Sequence, residues 1–217
     1  MTEAIASAPA WRSGLPEHGT PGPRIALIHG LFAGAHMQRH LLCFLRAAGH
    51  ADSTLHSNHL APARIAEDLA AAAADGRPLV LIGYSQGGFQ AIKVARLLAR
   101  RGIAVDLLVT AASGGLGRWW PPQWGLRDVR DIPGNVRRCL NYFAAGDHLG
   151  SDRQHARNHA RGGGGTQVEN HAYTRDAGID HIGIVRCYPA DRVADAVRRQ
   201  FLDRLLDELR QLTISGR

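Results

Sequence analysis

The chain has 217 residues, 45% hydrophobic and 21% charged, with a net charge of +7. This length and apolar content fit one globular domain with a full core and exclude wholesale disorder. No apolar run approaches the roughly 18 residues that span a bilayer, so no transmembrane segment is expected. Residues 1–23 are rich in Pro, Gly, Ala and Ser and read as an arm with little regular structure, leaving 24–217 as the domain. Arg24–His29 is a short apolar run closed by Gly30, the pattern of a buried strand. Met37–Ala48 reads as a helix with Leu41, Leu42, Leu45 and Ala48 on one face and Gly49 as its stop. Ala51–His56 is a weaker strand signal, and Pro62–Ala74 is an Ala-rich helix entered through proline. Leu79–Gly83 is the strongest strand, followed by a helix over Gln86–Arg101 that Gly102 ends. Val105–Ala111 and Arg138–Ala144 are further strands, with an irregular Gly, Pro and Trp stretch at 113–135 between them. A glycine loop at Arg161–Gly165 precedes a last strand at Gln167–Tyr173. Asp191–Leu212 closes the chain as an amphipathic helix.

Strands alternating with helices predict an α/β fold: a mostly parallel sheet of about six strands with helices on both faces. The runs at 79–83 and 105–111 lack side-chain alternation, as strands covered on both faces do.

The positive charge suggests an anionic partner, but its distribution argues against a nucleic-acid module. Of the 26 basic residues all but Lys93 are Arg, and they scatter along the chain. The densest group, Arg153, Arg157 and Arg161 with His155 and His159, has no interleaved aromatics and matches no nucleic-acid motif. No dedicated nucleic-acid partner is expected; weak association with anionic surfaces is the narrower reading left. Cys43, Cys139 and Cys187 are odd in number and widely spaced, unlike a disulfide framework or a zinc site. The N-terminus lacks the basic start and apolar core of a signal peptide, so a cytoplasmic location is expected.

The chemistry centres on Gly83-Tyr84-Ser85-Gln86-Gly87, a Gly-x-Ser-x-Gly sequence between the best strand and a good helix. That context makes it a nucleophile elbow, a tight turn that strains the Ser and exposes its hydroxyl. Gly83 and Gly87 remove Cβ atoms where strand and helix crowd together, and Gly88 relieves the same region. The helix N-terminus adds positive partial charge beside a developing oxyanion.

With His29-Gly30-Leu31-Phe32 after the first strand, the chain resembles the α/β-hydrolase family, in which a His-Gly pair after an early strand begins the oxyanion loop. The resemblance spans roughly residues 24–212 and is strongest at 24–34 and 79–95. It implies that the backbone N–H groups of Leu31 and Gln86 form the oxyanion hole, each worth about 3 kcal/mol to the transition state. His29 reads as an orienting residue beside that loop. The family's order of nucleophile, acid and base, with the last two on loops after late strands, implies Asp147 as acid and His181 as base. From the residues alone, Asp152 and Asp180 compete for the acid, and His148, His155, His159 and His171 for the base.

The resemblance therefore implies a serine hydrolase of carboxylic esters or thioesters, of the esterase, lipase or thioesterase kind, with no cofactor. Its partner is a small-molecule substrate with an apolar acyl group. No spacing resembles a metal site; His155-x₃-His159 is half of one. The chain is too short for a large cap domain, so 113–135 is expected to supply a short lid or pocket wall. Phe32, Tyr84, Trp119, Trp120 and Trp124 are the expected pocket residues. An acyltransferase or amidase would use the same triad, and a catalytically silent binding protein could share the fold.

Overall fold

The computed structural model describes residues 22–116 and 130–215. Most of the expected arm, and Trp119, Trp120 and Trp124, lie outside the described residues. Six strands form one parallel sheet: β1 (Arg24–His29), β2 (Ser53–Ser57), β3 (Leu79–Tyr84), β4 (Val105–Ala111), β6 (Val136–Ala144) and β8 (Gln167–Tyr173). Two short strands, β5 (Asp131–Ile132) and β7 (Arg161–Gly162), pair separately in parallel. Helix α1 runs through Gly34–Met37, a wider π turn at Gln38–Leu42, and Cys43–Ala47. Helices α2 (Pro62–Ala74) and α3 (Gln86–Ala99) follow, and α4 runs from Asp195–Val197 through a π turn at Arg198–Asp203 into Arg204–Ser215.

The two-residue period of each strand decides which layer a side chain joins. Ile25, Leu27, Val80, Ile82, Leu107, Val109 and Leu140 face one way, against Met37, Leu41 and Leu45 of α1 and Phe201, Leu205 and Leu209 of α4. Ala26, Ile28, Leu79, Leu81, Leu108 and Cys139 face the other, against Ile65 and Leu69 of α2 and Phe89, Ile92 and Leu98 of α3. The expected sheet, covered on both faces, is what forms. Cys43, Cys139 and Cys187 are free thiols, all buried. Among the described residues no helix is long and apolar enough to cross a membrane.

Several boundaries differ from expectation. Helix α1 starts at Gly34, because Gly30 O accepts from Ala33 N and Ala33 O from Met37 N, carrying the turn straight into the helix. Helix α4 starts at Asp195, since the chain after Pro189 first makes a short 3₁₀ turn at Ala190–Arg192. The β5–β7 pair was not foreseen, because strands of two residues carry no periodicity; β7 falls inside the expected glycine loop.

The strand order β2-β1-β3-β4-β6-β8 locates the site. The chain lays β2 on one side of β1, then crosses to place β3 on the other, and every later strand adds outward from β3. The crevice above the carboxyl ends of β1 and β3 is this switch point, where the crossovers leave in opposite directions and make room for a ligand.

Candidate active site

Ser85 sits at the carboxyl end of β3 with φ 54° and ψ −123°, a strained backbone for a non-glycine residue. Its N–H donates to Ala111 O at 2.8 Å, and its carbonyl accepts from Gly88 N at 3.0 Å, so the turn is fixed at both ends. Two glycines explain how the elbow fits. A Cβ on Gly87 would fall inside the Ile28 carbonyl, so α3 can start against β1 only without one. A Cβ on Gly30 would lie 2.6 Å from Ser85 Cβ and 3.0 Å from its Oγ. The loop that carries Gly30 and Leu31 therefore lies directly against Ser85.

Asp147 follows β6 and His181 follows β8. His181 Nδ1 lies 2.8 Å from Asp147 Oδ2, and its Nε2 lies 3.1 Å from Ser85 Oγ. The Asp147 side chain is 0% exposed, and its Oδ1 accepts from Leu149 N at 2.9 Å and Gly150 N at 2.8 Å. With one carboxylate oxygen held by two amides, the other fixes the His181 tautomer: Nδ1–H donates to Asp147, leaving the Nε2 lone pair toward the Ser85 hydroxyl. Gly150 is required here too, since a Cβ would lie 2.7 Å from Asp147 Oδ2.

The rival residues lie outside this relay. Asp180 Oδ1 accepts from Gly183 N at 2.6 Å, and Asp152 helps to fasten the loop through Asn158 and Gly115. His155 and His159 pack on Phe143, His171 stacks on Tyr142, and His148 is exposed. Among the described residues no three His, Cys, Asp or Glu side chains converge as a metal site.

The residues expected to supply the oxyanion donors are Leu31, next to the Gly30 that packs against Ser85, and Gln86, next to Ser85 itself. Leu31 follows Gly30, and its N–H has no backbone acceptor among the described residues. Gln86 is the first residue of α3, directly after Ser85. His29 Nδ1 donates to Gly30 O at 2.7 Å, and its ring lies against Gly34. Phe32 is fully exposed, at φ 57°. Tyr84 is 2% exposed, with its hydroxyl 2.8 Å from His181 O and its ring beside the imidazole. Strand parity explains this, because Tyr84 shares the face of Val80 and Ile82 and points into the core.

Two residues without a predicted role, His36 and His40, also touch the loop that carries His181. His36 Nε2 lies 3.2 Å from Ile182 O, and His40 Nδ1 accepts from Tyr188 N at 3.2 Å. Their i, i+4 spacing on one helix face was the available signal. Burial, with His36, Arg186 and Arg39 nearby, lowers the His40 pKa from 6.5 to about 4. The ring binds a proton more weakly folded than unfolded. Its contribution is therefore complete above pH 6.5 and is lost as pH falls through 4. Urea unfolding from pH 7 to 4 is expected to show about 2–3 kcal/mol of decline from this residue. His40→Gln cannot take up the proton and should flatten that part of the curve; an unchanged slope would remove His40 as the cause.

The geometry can be compared with known proteins. A thioesterase-domain family model matches residues 32–115, from Phe32 through the elbow to the turn after β4. No protein of curated function matches the chain in sequence. Among solved structures, the RedJ thioesterase of the prodiginine biosynthetic pathway in Streptomyces coelicolor is similar at 12% identity and a TM-score of 0.52, over 95% of this chain and 93% of that one. A hyperthermophilic esterase from the archaeon Pyrobaculum calidifontis is similar at 16% identity and a TM-score of 0.56, over 91% of this chain and 79% of that one. The chain has the α/β-hydrolase fold.

Proposed function

We propose that the chain is a serine hydrolase that cleaves carboxylic esters and thioesters through an acyl-enzyme on Ser85. The observation that carries this reading is the unbroken relay Asp147–His181–Ser85, at 2.8 and 3.1 Å, at the sheet's switch point. Ser85 Oγ attacks the acyl carbonyl while His181 Nε2 takes its proton. The Leu31 and Gln86 N–H groups hold the resulting oxyanion, and Asp147 stabilises the imidazolium. His181 then protonates the departing alkoxide or thiolate. In the second half His181 takes a proton from the water that attacks the acyl-enzyme and hands it to Ser85 Oγ as the acid leaves, restoring both groups. All charges are supplied by side chains and backbone. A silent binding protein would have no use for a strained Ser85 aligned with a base. The match to a thioesterase-domain model over the elbow supports thioesters within this class.

The acyl group is apolar. Phe32, Leu116, Leu149 and Ile182 are large, exposed and carried on the loops that follow β1, β4, β6 and β8. Each lies within two residues of a catalytic group or, for Leu116, donates its N–H to Leu149 O. The three free thiols fit a reducing, cytoplasmic setting. The test is a series of p-nitrophenyl esters and acyl-coenzyme A thioesters. Octanoyl adds six methylenes to acetyl, and burying about two of them at ~0.8 kcal/mol each should raise kcat/KM about fifteenfold. A flat series would reject the apolar acyl group, and no turnover of any ester by folded enzyme would sink the hydrolase reading.

A further inference from the structure

The segment that carries His181 lies between β8 and α4 and contains only short turns: 3₁₀ pieces at Arg175–Ala177, Gly183–Val185 and Ala190–Arg192. A base that must stay within hydrogen-bond reach of two partners cannot rely on such turns alone, and the loop's backbone polar groups need partners. Three side chains from outside the segment supply them. Tyr84 Oη donates to His181 O at 2.8 Å, and its ring packs against the imidazole with centroids 5.1 Å apart. His36 Nε2 lies 3.2 Å from Ile182 O, the next carbonyl. His40 Nδ1 accepts from Cys187 N and Tyr188 N farther along.

We propose that Tyr84 and His36 are positioning residues that hold the consecutive carbonyls of His181 and Ile182, tying the base to the nucleophile elbow and to the helix after the loop that carries Leu31. This rests on the hydrolase reading for its kinetic consequence, though the clasp itself is a matter of geometry. Tyr84 immediately precedes Ser85, so one residue fixes the spacing of nucleophile and base. Its hydroxyl stays protonated and able to donate, because burial, with Asp147 and Asp180 nearby, pushes its pKa well up. His36 stands on the first turn of α1, directly after the loop that carries Leu31. Burial, aided by Arg186 and Arg39, lowers its pKa despite the Ile182 carbonyl and Asp180. The carbonyl of Ile182 can only accept, so the neutral ring meets it with Nε2–H. Oxyanion donor, nucleophile and base thus share one rigid frame, although they come from three separate loops.

The variants are His36→Leu, His36→Gln and Tyr84→Phe, each first checked for wild-type thermal unfolding. The kinetic expectation is a five- to tenfold fall in kcat for His36→Leu and Tyr84→Phe with KM unchanged. His36→Gln, whose amide can still donate to Ile182 O, should recover to within about twofold of wild type. The double variant H36L/Y84F should lose more than the product of the single losses, because each contact backs up the other. The second measurement needs no turnover: the far-downfield proton resonance of the His181 Nδ1–H bonded to Asp147. It should be sharp in wild type and His36→Gln, and broadened in His36→Leu and Tyr84→Phe. Unchanged kcat with a sharp resonance in both single variants would overturn the clasp. So would a rise in KM at constant kcat, which would make these residues part of the substrate wall. If the wild type hydrolyses no ester yet the resonance follows this pattern, the clasp stands and the hydrolase reading fails.

Discussion

Ser85→Ala is expected to lose at least about 10⁴-fold in kcat and all labelling by a fluorophosphonate probe, with its fold intact. The reason is chemical: the Ala side chain has no atom to attack, while the elbow, the oxyanion donors and His181 stay where they are. The backbone supplies an independent check. Ser85 holds φ 54° and ψ −123°, a conformation that costs a residue with a Cβ about 1–3 kcal/mol. Alanine keeps that strain and should unfold much as wild type does. Ser85→Gly removes it, against a penalty of about 0.4–1 kcal/mol from the freer unfolded chain. The glycine variant should therefore be inactive and about 1 kcal/mol more stable than the alanine variant in urea. Activity surviving in Ser85→Ala would sink the acyl-enzyme mechanism. A glycine variant no more stable than alanine would mean that the elbow is not strained.

Readability of this site from the sequence varied with how local each signal is. The elbow was plain because its parts are adjacent: an apolar strand, Gly83 to Gly88, and an amphipathic helix. The sheet was equally plain, since continuous runs such as LVLIG and VDLLVTA suit only strands covered on both faces. The acid and base were different. With 12 His and 19 acidic residues, no local pattern distinguishes Asp147 or His181, and only the family's chain order singled them out. What joins them is the parallel stacking of β3, β4, β6 and β8, which brings their carboxyl ends to one edge of the sheet. The burial of Tyr84 follows from counting alternate positions along its strand, since it shares the face of Val80 and Ile82. His36 and His40 resemble a solvated helix face until the loop they touch is in place, 146 and 147 positions away for the nearest contacts.

Gly87→Ala is expected to have the largest structural effect of any single methyl added to this site. The new Cβ would overlap the Ile28 carbonyl oxygen and crowd the carbonyl carbons of Ile28 and His29, all of them main-chain atoms. Main chain in a central strand cannot rotate away as a side chain can, so β1 and α3 must separate. Overpacking of this kind costs about 3 kcal/mol or more. The displacement runs directly into catalysis, because Ile28 and His29 lead into Gly30 and Leu31, and Gly30 packs against Ser85. Gly88→Ala makes the contrast. Its Cβ would overlap Ser113 Oγ and crowd Ser113 Cβ, both side-chain atoms, with the next neighbour, Gly83 O, at 3.6 Å. The double variant G88A/S113G removes the obstacle and should recover most of the stability and fluorophosphonate labelling that Gly88→Ala loses. No comparable partner substitution exists for Gly87, where the obstacle is the peptide itself. Urea midpoints and labelling rates for the three proteins decide the matter. Wild-type values for Gly87→Ala would mean that β1 and α3 do not approach so closely, and the oxyanion loop would lose its fixed distance from the nucleophile.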